Sequence, residues 1–185
     1  MYKVISYYTP KYRLTVEPLL QSLIQYEMPY EVTEVPDKGN WTENTYYKPY
    51  YIREQLDRHD CDLIWLDADA ELVAYPEYFD IIKEDLGIYV RRRSQLYGEV
   101  VSSVIYLKNC KEVKELVDWW IKSEEKDTMR GHLEQYHLER AVLEHFFHRG
   151  TVTLFYFPDR YAVIDGITTS KEPVICQHQA SRQFR

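Results

Sequence analysis

Apolar and polar positions change their rhythm along this chain at regular intervals. Residues 3–8 (KVISYY) read as a short buried strand. Thr9 or Pro10 then opens a helix to about Tyr26, because Leu19, Leu20, Leu23 and Ile24 fall on one face at helical spacing. Residues 30–35 (YEVTEV) alternate as a strand, and 36–44, with Pro, Asp, Gly and two Asn, form a loop. A second helix over about 46–58 leads to 62–66 (DLIWL), whose unbroken apolar run predicts a strand buried on both faces. Strand and helix thus alternate, the pattern of right-handed βαβ units on a parallel sheet.

Further along, the pattern predicts a short helix at about 76–82 and strands at 87–90 and 101–107. Longer helices follow at about 110–124 and 133–147, then strand-like 151–157 and 173–176 and a polar end. No stretch is long or polar enough to be a linker, so one α/β domain over 1–185 with a mixed sheet is expected.

Composition narrows the function. The chain has 185 residues, 45% hydrophobic and 29% charged, enough to bury a core without disulfide staples. With 30 acidic against 23 basic side chains its net charge is -7, which weighs against tracking nucleic-acid phosphates. No apolar run approaches the roughly 20 residues of a membrane span. Cys61, Cys110 and Cys176 are odd in number and show no CxxC spacing, so reduced thiols are expected. With no leader pattern before the first strand, a cytoplasmic protein is expected. The 18 tyrosines suit a sugar or base site, although compositional drift is the simpler cause.

The most informative stretch is Leu63-Ile64-Trp65-Leu66-Asp67-Ala68-Asp69-Ala70. Ligands of open α/β sheets bind beyond the carboxyl ends of strands. Two carboxylates there, one small residue apart, can approach a single hard divalent cation. The bland reading is that one Asp caps the next turn while the other faces water. An EF-hand loop fails, because it needs Gly and Glu where this chain has Leu72 and Tyr78. A haloacid-dehalogenase-type phosphatase fits poorly, with Glu71 where that family has Thr or Val. The metal-binding DxD of nucleotide-sugar glycosyltransferases fits.

On these residues the chain resembles the GT-A-fold glycosyltransferases, and within them the family 8 and nucleotide-diphospho-sugar transferase group. The first strand ends Ser6-Tyr7-Tyr8-Thr9, where that family begins its nucleotide pocket. Lys48-Pro49-Tyr50-Tyr51-Ile52 is similar to its helix start before the DxD strand. The stretch 101–109 followed by Trp119-Trp120 resembles its strand of small residues, here Ser102 and Ser103, and the helix after it. Glu134-Gln135 with Leu138 resembles its D-Q-x-x-L helix, and Pro158-Asp159-Arg160-Tyr161 the strand beyond. His178 stands where the family has a C-terminal metal-binding His. The chain departs from the family in its shorter length and in lacking the Asn-Ser-Gly or Asn-Thr-Gly of the small-residue strand.

The resemblance implies a three-layer, Rossmann-like GT-A fold with a mixed, mostly parallel sheet. It implies a hexosyltransferase taking a nucleotide-diphospho-sugar, a UDP-sugar above all, to a sugar, lipid or protein acceptor. Asp67, Asp69 and His178 are the implied ligands of Mn²⁺, with Mg²⁺ the alternative; Asp67 is otherwise a partner for ribose or sugar hydroxyls. Tyr7, Tyr8, Thr9, Lys48 and Arg182 are implied around the donor, and Glu134 and Gln135 beside the reacting carbon. Bland readings stand beside each: a capping histidine, a surface lysine, a solvated tail arginine, an acidic residue at a helix start. Arg91-Arg92-Arg93 reads as a solvated face rather than an anion site. Were the reaction inverting, Glu134 or Asp165 would be nominated as base. Trp65, Trp119 and Trp120 read as core. The alternatives are a sugar-phosphate nucleotidyltransferase, whose Gly-rich first turn is missing from Thr9-Pro10-Lys11-Tyr12-Arg13, and a non-catalytic nucleotide-sugar binding module.

Overall fold

β1 (Tyr2–Tyr8) buries Val4, Ile5 and Ser6, so it needs strands on both edges and cover on both faces. In the computed structural model, which describes residues 1–94 and 98–180, it has both. It pairs in parallel with β2 (Tyr30–Glu34) on one side and β3 (Asp62–Leu66) on the other. β4 (Ala70–Leu72) leaves for a second sheet, while β5 (Leu86–Arg92), β6 (Gly98–Leu107) and β7 (Leu154–Tyr156) complete the first. The main sheet runs β2-β1-β3-β6-β5-β7; β3/β6 and β5/β6 are antiparallel and the other three pairings parallel. The small sheet joins β4 to β8 (Val163–Ile164) and β9 (Ile175–Gln177) in the order β4-β9-β8.

Strand alternation divides the core. Ile5, Leu63 and Trp65 pack with α3 (Lys48–Arg58), α4 (Lys111–Lys126) and α5 (Glu134–Val142). Val4, Ile64 and Leu66 pack with α1 (Glu17–Gln25) and the small sheet. The result is three layers. No helix among the described residues is long and apolar enough to cross a membrane.

Prolines account for two differences from the expected helices. The helix expected to run from residue 9 or 10 to 26 is a single 3-10 turn, Pro10–Tyr12, followed by α1. Pro18 lacks an N–H and suits only the first turn, so the helix restarts there. The expected 46–58 helix is α2 (Trp41–Tyr46), capped by Asn40, then a break at Tyr47 and α3 with Pro49 in its first turn. The expected 76–82 helix is only the 3-10 turn Glu77–Asp80, and the one expected over 133–147 passes from α5 into a π turn, Leu143–His148.

Topology decides where a ligand can sit. The chain leaves β1 for β2 on one side, then returns through α2 and α3 to β3 on the other. That reversal of strand order opens a crevice beyond the carboxyl ends of β1 and β3. Because β5 and β6 form an antiparallel pair with β6 against β3, the end of β5 and the start of β6 reach the same edge.

Candidate functional site

A cavity of about 420 Å³ occupies that edge. Tyr7, Tyr8 and Thr9 enter it from β1, Trp65, Asp67 and Asp69 from β3 and the turn after it. Lys48 comes from the start of α3, Glu134 and Gln135 from the start of α5. Ser102 and Ser103 face it from β6, and Arg91, Arg93 and Glu99 border it from the β5–β6 pair.

Its floor is a charge cluster. Lys48 Nζ donates to Asp67 Oδ1 at 2.9 Å and to Glu134 Oε1 at 2.6 Å, with Ser102 Oγ at 3.1 Å. Ser102 Oγ in turn donates to Glu134 Oε1 at 2.5 Å, and the Trp65 indole N–H to Asp67 Oδ1 at 2.8 Å. Lys48 is 4% exposed and heads a helix, where both burial and the helix dipole oppose a cation. Burial alone would lower its pKa, but the charges of Asp67 and Glu134 outweigh it and hold the ammonium protonated. Pro49 makes that geometry possible by starting α3 at Lys48.

Above this floor, Glu99 accepts from Arg91 and Arg93, each at 2.5 Å, and its other oxygen accepts from Gln135. Tyr7 directs its hydroxyl to the Asn44 carbonyl at 2.5 Å and leaves its ring as a wall; burial lifts its pKa well above the ordinary value. Thr9 Oγ1, Ser103 Oγ and Gln177 Oε1 are buried on cavity-lining residues without a hydrogen-bond partner among the described residues. Orphaned polar atoms cost about 1–3 kcal/mol each, so a ligand rich in hydroxyls or phosphate oxygens would gain by meeting them.

Eight residues expected at the site line the cavity: Tyr7, Tyr8, Thr9, Lys48, Asp67, Asp69, Glu134 and Gln135. Arg182 lies outside the described residues. His178 is a correction. Its backbone N–H reaches Asp69 O at 3.0 Å, but its ring turns to Glu71 (2.8 Å) and Asp165 (3.1 Å) and does not line the cavity. Gln177 and Gln179 line the cavity on either side of His178; β9 ends at Gln177, and Gln179 turns back with a positive φ of 50°. Among the described residues, Asp67, Asp69 and His178 therefore do not gather their ligand atoms around one point. Asp165, held to His178, does not line the cavity either.

The arginine run is corrected in part: Arg91 is buried and lines the cavity, whereas Arg92 and Arg93 are exposed as a solvated face requires, Arg93 at the cavity's border. Sequence reasoning also missed Glu99 and Gln177; alternation along β5 separates Arg91 from Arg92, but which face mattered required the sheet order. Trp120 is core as expected, whereas Trp65 serves both core and cavity.

No protein-family model and no curated protein matches the sequence. Among solved structures, the chain is similar to a glycosyltransferase involved in the glycosylation of the major capsid of PBCV-1. The TM-score is 0.73 at 12% identity, over 97% of this chain and 93% of that one. At that identity the likeness is one of fold, and the mixed α/β, three-layer, Rossmann-like architecture of this chain is a GT-A-type glycosyltransferase fold.

Proposed function

We propose that the chain is a glycosyltransferase that moves a hexose from a nucleotide-diphospho-sugar, a UDP-sugar first among them, to a sugar, lipid or protein acceptor. One observation carries the reading. Asp67, Asp69, Lys48 and Glu134 converge on a single cavity at the strand-order reversal of a glycosyltransferase fold. Membership of family 8 within that fold rests on the sequence motifs.

Charge bears on whether a divalent ion fits. The described lining holds four carboxylates (Asp67, Asp69, Glu99, Glu134) against three cations (Lys48, Arg91, Arg93). A diphosphate entering this slightly negative site needs a further cation. Mn²⁺ or Mg²⁺ is commonly held by one or two carboxylates with substrate phosphates completing the shell, so Asp67 and Asp69 suffice without His178. When bound, such an ion neutralises charge on the departing diphosphate.

The chain's own residues do the rest. Tyr7 and Tyr8 wall the nucleotide end, and the Thr9 hydroxyl meets a ribose oxygen. Glu134, fixed by Lys48 and Ser102, faces the sugar, where its carboxylate orients hydroxyls or offsets positive charge on the ring as the carbon–oxygen bond to phosphate breaks. Gln135 is steadied by Glu99 beside it. The acceptor oxygen then bonds to that carbon as the bond to phosphate breaks, and its proton passes to the departing nucleoside diphosphate.

Thermal denaturation with UDP, GDP, CDP and dTDP, each with and without Mn²⁺, tests this reading. One nucleotide should raise the midpoint, only with metal, and the rise should vanish in Asp69→Asn. Mn²⁺-dependent release of that nucleoside diphosphate from its sugar conjugate separates an enzyme from a binding module. Absence of any nucleotide shift would sink the proposal.

A further inference from the structure

Outside the cavity, three side chains of the metal-ligating kinds meet. Asp127 follows the last turn of α4, His132 lies in the connection to α5, and His137 sits on α5 itself, one turn beyond Glu134. One ligand atom from each lies within 4.8 Å of the others. Asp127 Oδ2 is 3.2 Å from His132 Nδ1 and 3.4 Å from His137 Nε2. Four-coordinate zinc with bonds of about 2.0–2.1 Å requires ligand separations of about 3.3–3.4 Å. The two spacings from Asp127 match that edge length, and the histidine ligand atoms lie within 4.8 Å of each other.

The surroundings are arranged as an outer shell. The Asp127 carboxylate accepts from the backbone N–H of Gly131 (3.1 Å) and His132 (3.0 Å), which fixes its direction. His137 Nδ1 lies 2.9 Å from Ser123 Oγ, so the far ring nitrogen is anchored and Nε2 is aimed at the cluster. Tyr46 Oη stands 3.1 Å from Asp127 Oδ2 and 3.2 Å from His137 Nε2, in position to serve a fourth corner.

Charge points the same way. The Asp127 side chain is 13% exposed, yet it pairs with no Lys or Arg among the described residues. Arg130, three residues on, is drawn instead to Glu43 at 2.8 Å and lies over the Tyr46 ring. His132, with half of its side chain exposed, leaves a path for an ion to enter.

We propose that Asp127, His132 and His137 bind one Zn²⁺ as a structural clamp, distinct from any ion at Asp67 and Asp69. Two imidazoles and one carboxylate suit zinc better than Mg²⁺ or Mn²⁺. The ion would tie the 127–133 connection to α2 through Tyr46 and to α5 through His137. That connection delivers Leu133, Glu134 and Gln135 to the cavity, so the clamp would hold one wall of it in place.

Chelator-stripped protein, reloaded with Zn²⁺ and freed of excess by gel filtration, tests this by metal analysis. One zinc per chain is expected, with a midpoint rise of about 5–10 °C when free Zn²⁺ stands a hundredfold above Kd. Co²⁺ in its place should give the absorption bands of a tetrahedral site. His132→Ala, at an exposed position that leaves the core intact, should weaken Zn²⁺ binding more than about 100-fold and abolish those bands. Asp69→Asn should retain the zinc, which separates this site from the donor cavity and leaves the test independent of the proposed reaction. Substoichiometric zinc in native protein, or a full equivalent surviving in His132→Ala, overturns the clamp.

Discussion

Lys48 shows how one residue can carry information about its surroundings. A buried ammonium at a helix start is unfavourable by itself and survives only because Asp67 and Glu134 lie against it. Removing it leaves two carboxylates facing each other beside Asp69. Lys48→Met should therefore lose about 3–5 kcal/mol of stability by urea unfolding. Adding Glu134→Gln should restore part of that loss, since Asp67 then no longer faces a second carboxylate across the site of the missing ammonium. A loss below about 1 kcal/mol would mean that Lys48 is not held by these charges. Asp67 and Asp69 are not equivalent: Asp67 is half-buried and engaged by Lys48 and Trp65, while Asp69 is buried.

At the scale of elements, α4 buries Val113, Leu116, Val117 and Trp120 at helical spacing and carries Glu124 into the same stripe. Glu124 accepts from the Trp120 indole N–H at 2.9 Å. Burial first, and the charge of Glu134 second, push its pKa up to about 9, so it is protonated at neutral pH. The folded chain keeps a proton that the unfolded chain releases near pH 4.5, so stability falls as pH rises from there to about 9. Glu124→Gln keeps the acceptor and has no proton to lose. Its advantage over the native chain should be near zero at about pH 4 and grow to about 1–3 kcal/mol at about pH 8. Equal unfolding curves at both pH values would contradict a neutral Glu124.

The β4/β9 pair makes a second prediction at this scale. Burial lowers the His178 pKa, but hydrogen bonds to Asp165 and Glu71 outweigh it and raise it overall. Its stabilising contribution is therefore full below about pH 6.5 and fades as pH climbs through the raised value. Solvent screening of this half-exposed group keeps it within about 1 kcal/mol. His178→Ala should cost that small amount at low pH and leave the metal-dependent nucleotide shift intact. Loss of the shift would return the ring to the metal site.

Across the whole molecule, the order of strands and helices was readable because each element announces itself over a few neighbouring residues. The apolar run of β3, the one-sided leucines of α1 and the stripe of α4 are local patterns, and they led to the α/β reading directly. Local rules also contained the two helix breaks, since Pro18 and Pro49 mark first turns, although apolar periodicity continues across both. The two-residue β8 and three-residue β4 are too short to show a period, and their pairing with β9 is what brings the tail to Asp69.

Sequence alone determined the strand that delivers Asp67 and Asp69, because a short spacing on one strand survives into the fold unchanged, and it named six of the residues that line the cavity with them. Tertiary structure alone decided that Arg91 and Arg93 border the cavity, that His178 turns its ring away, and that Lys48 and Glu134 meet across 86 residues. Those outcomes depend on which strands become neighbours and which face each presents, and side-chain direction flips with every residue along a strand.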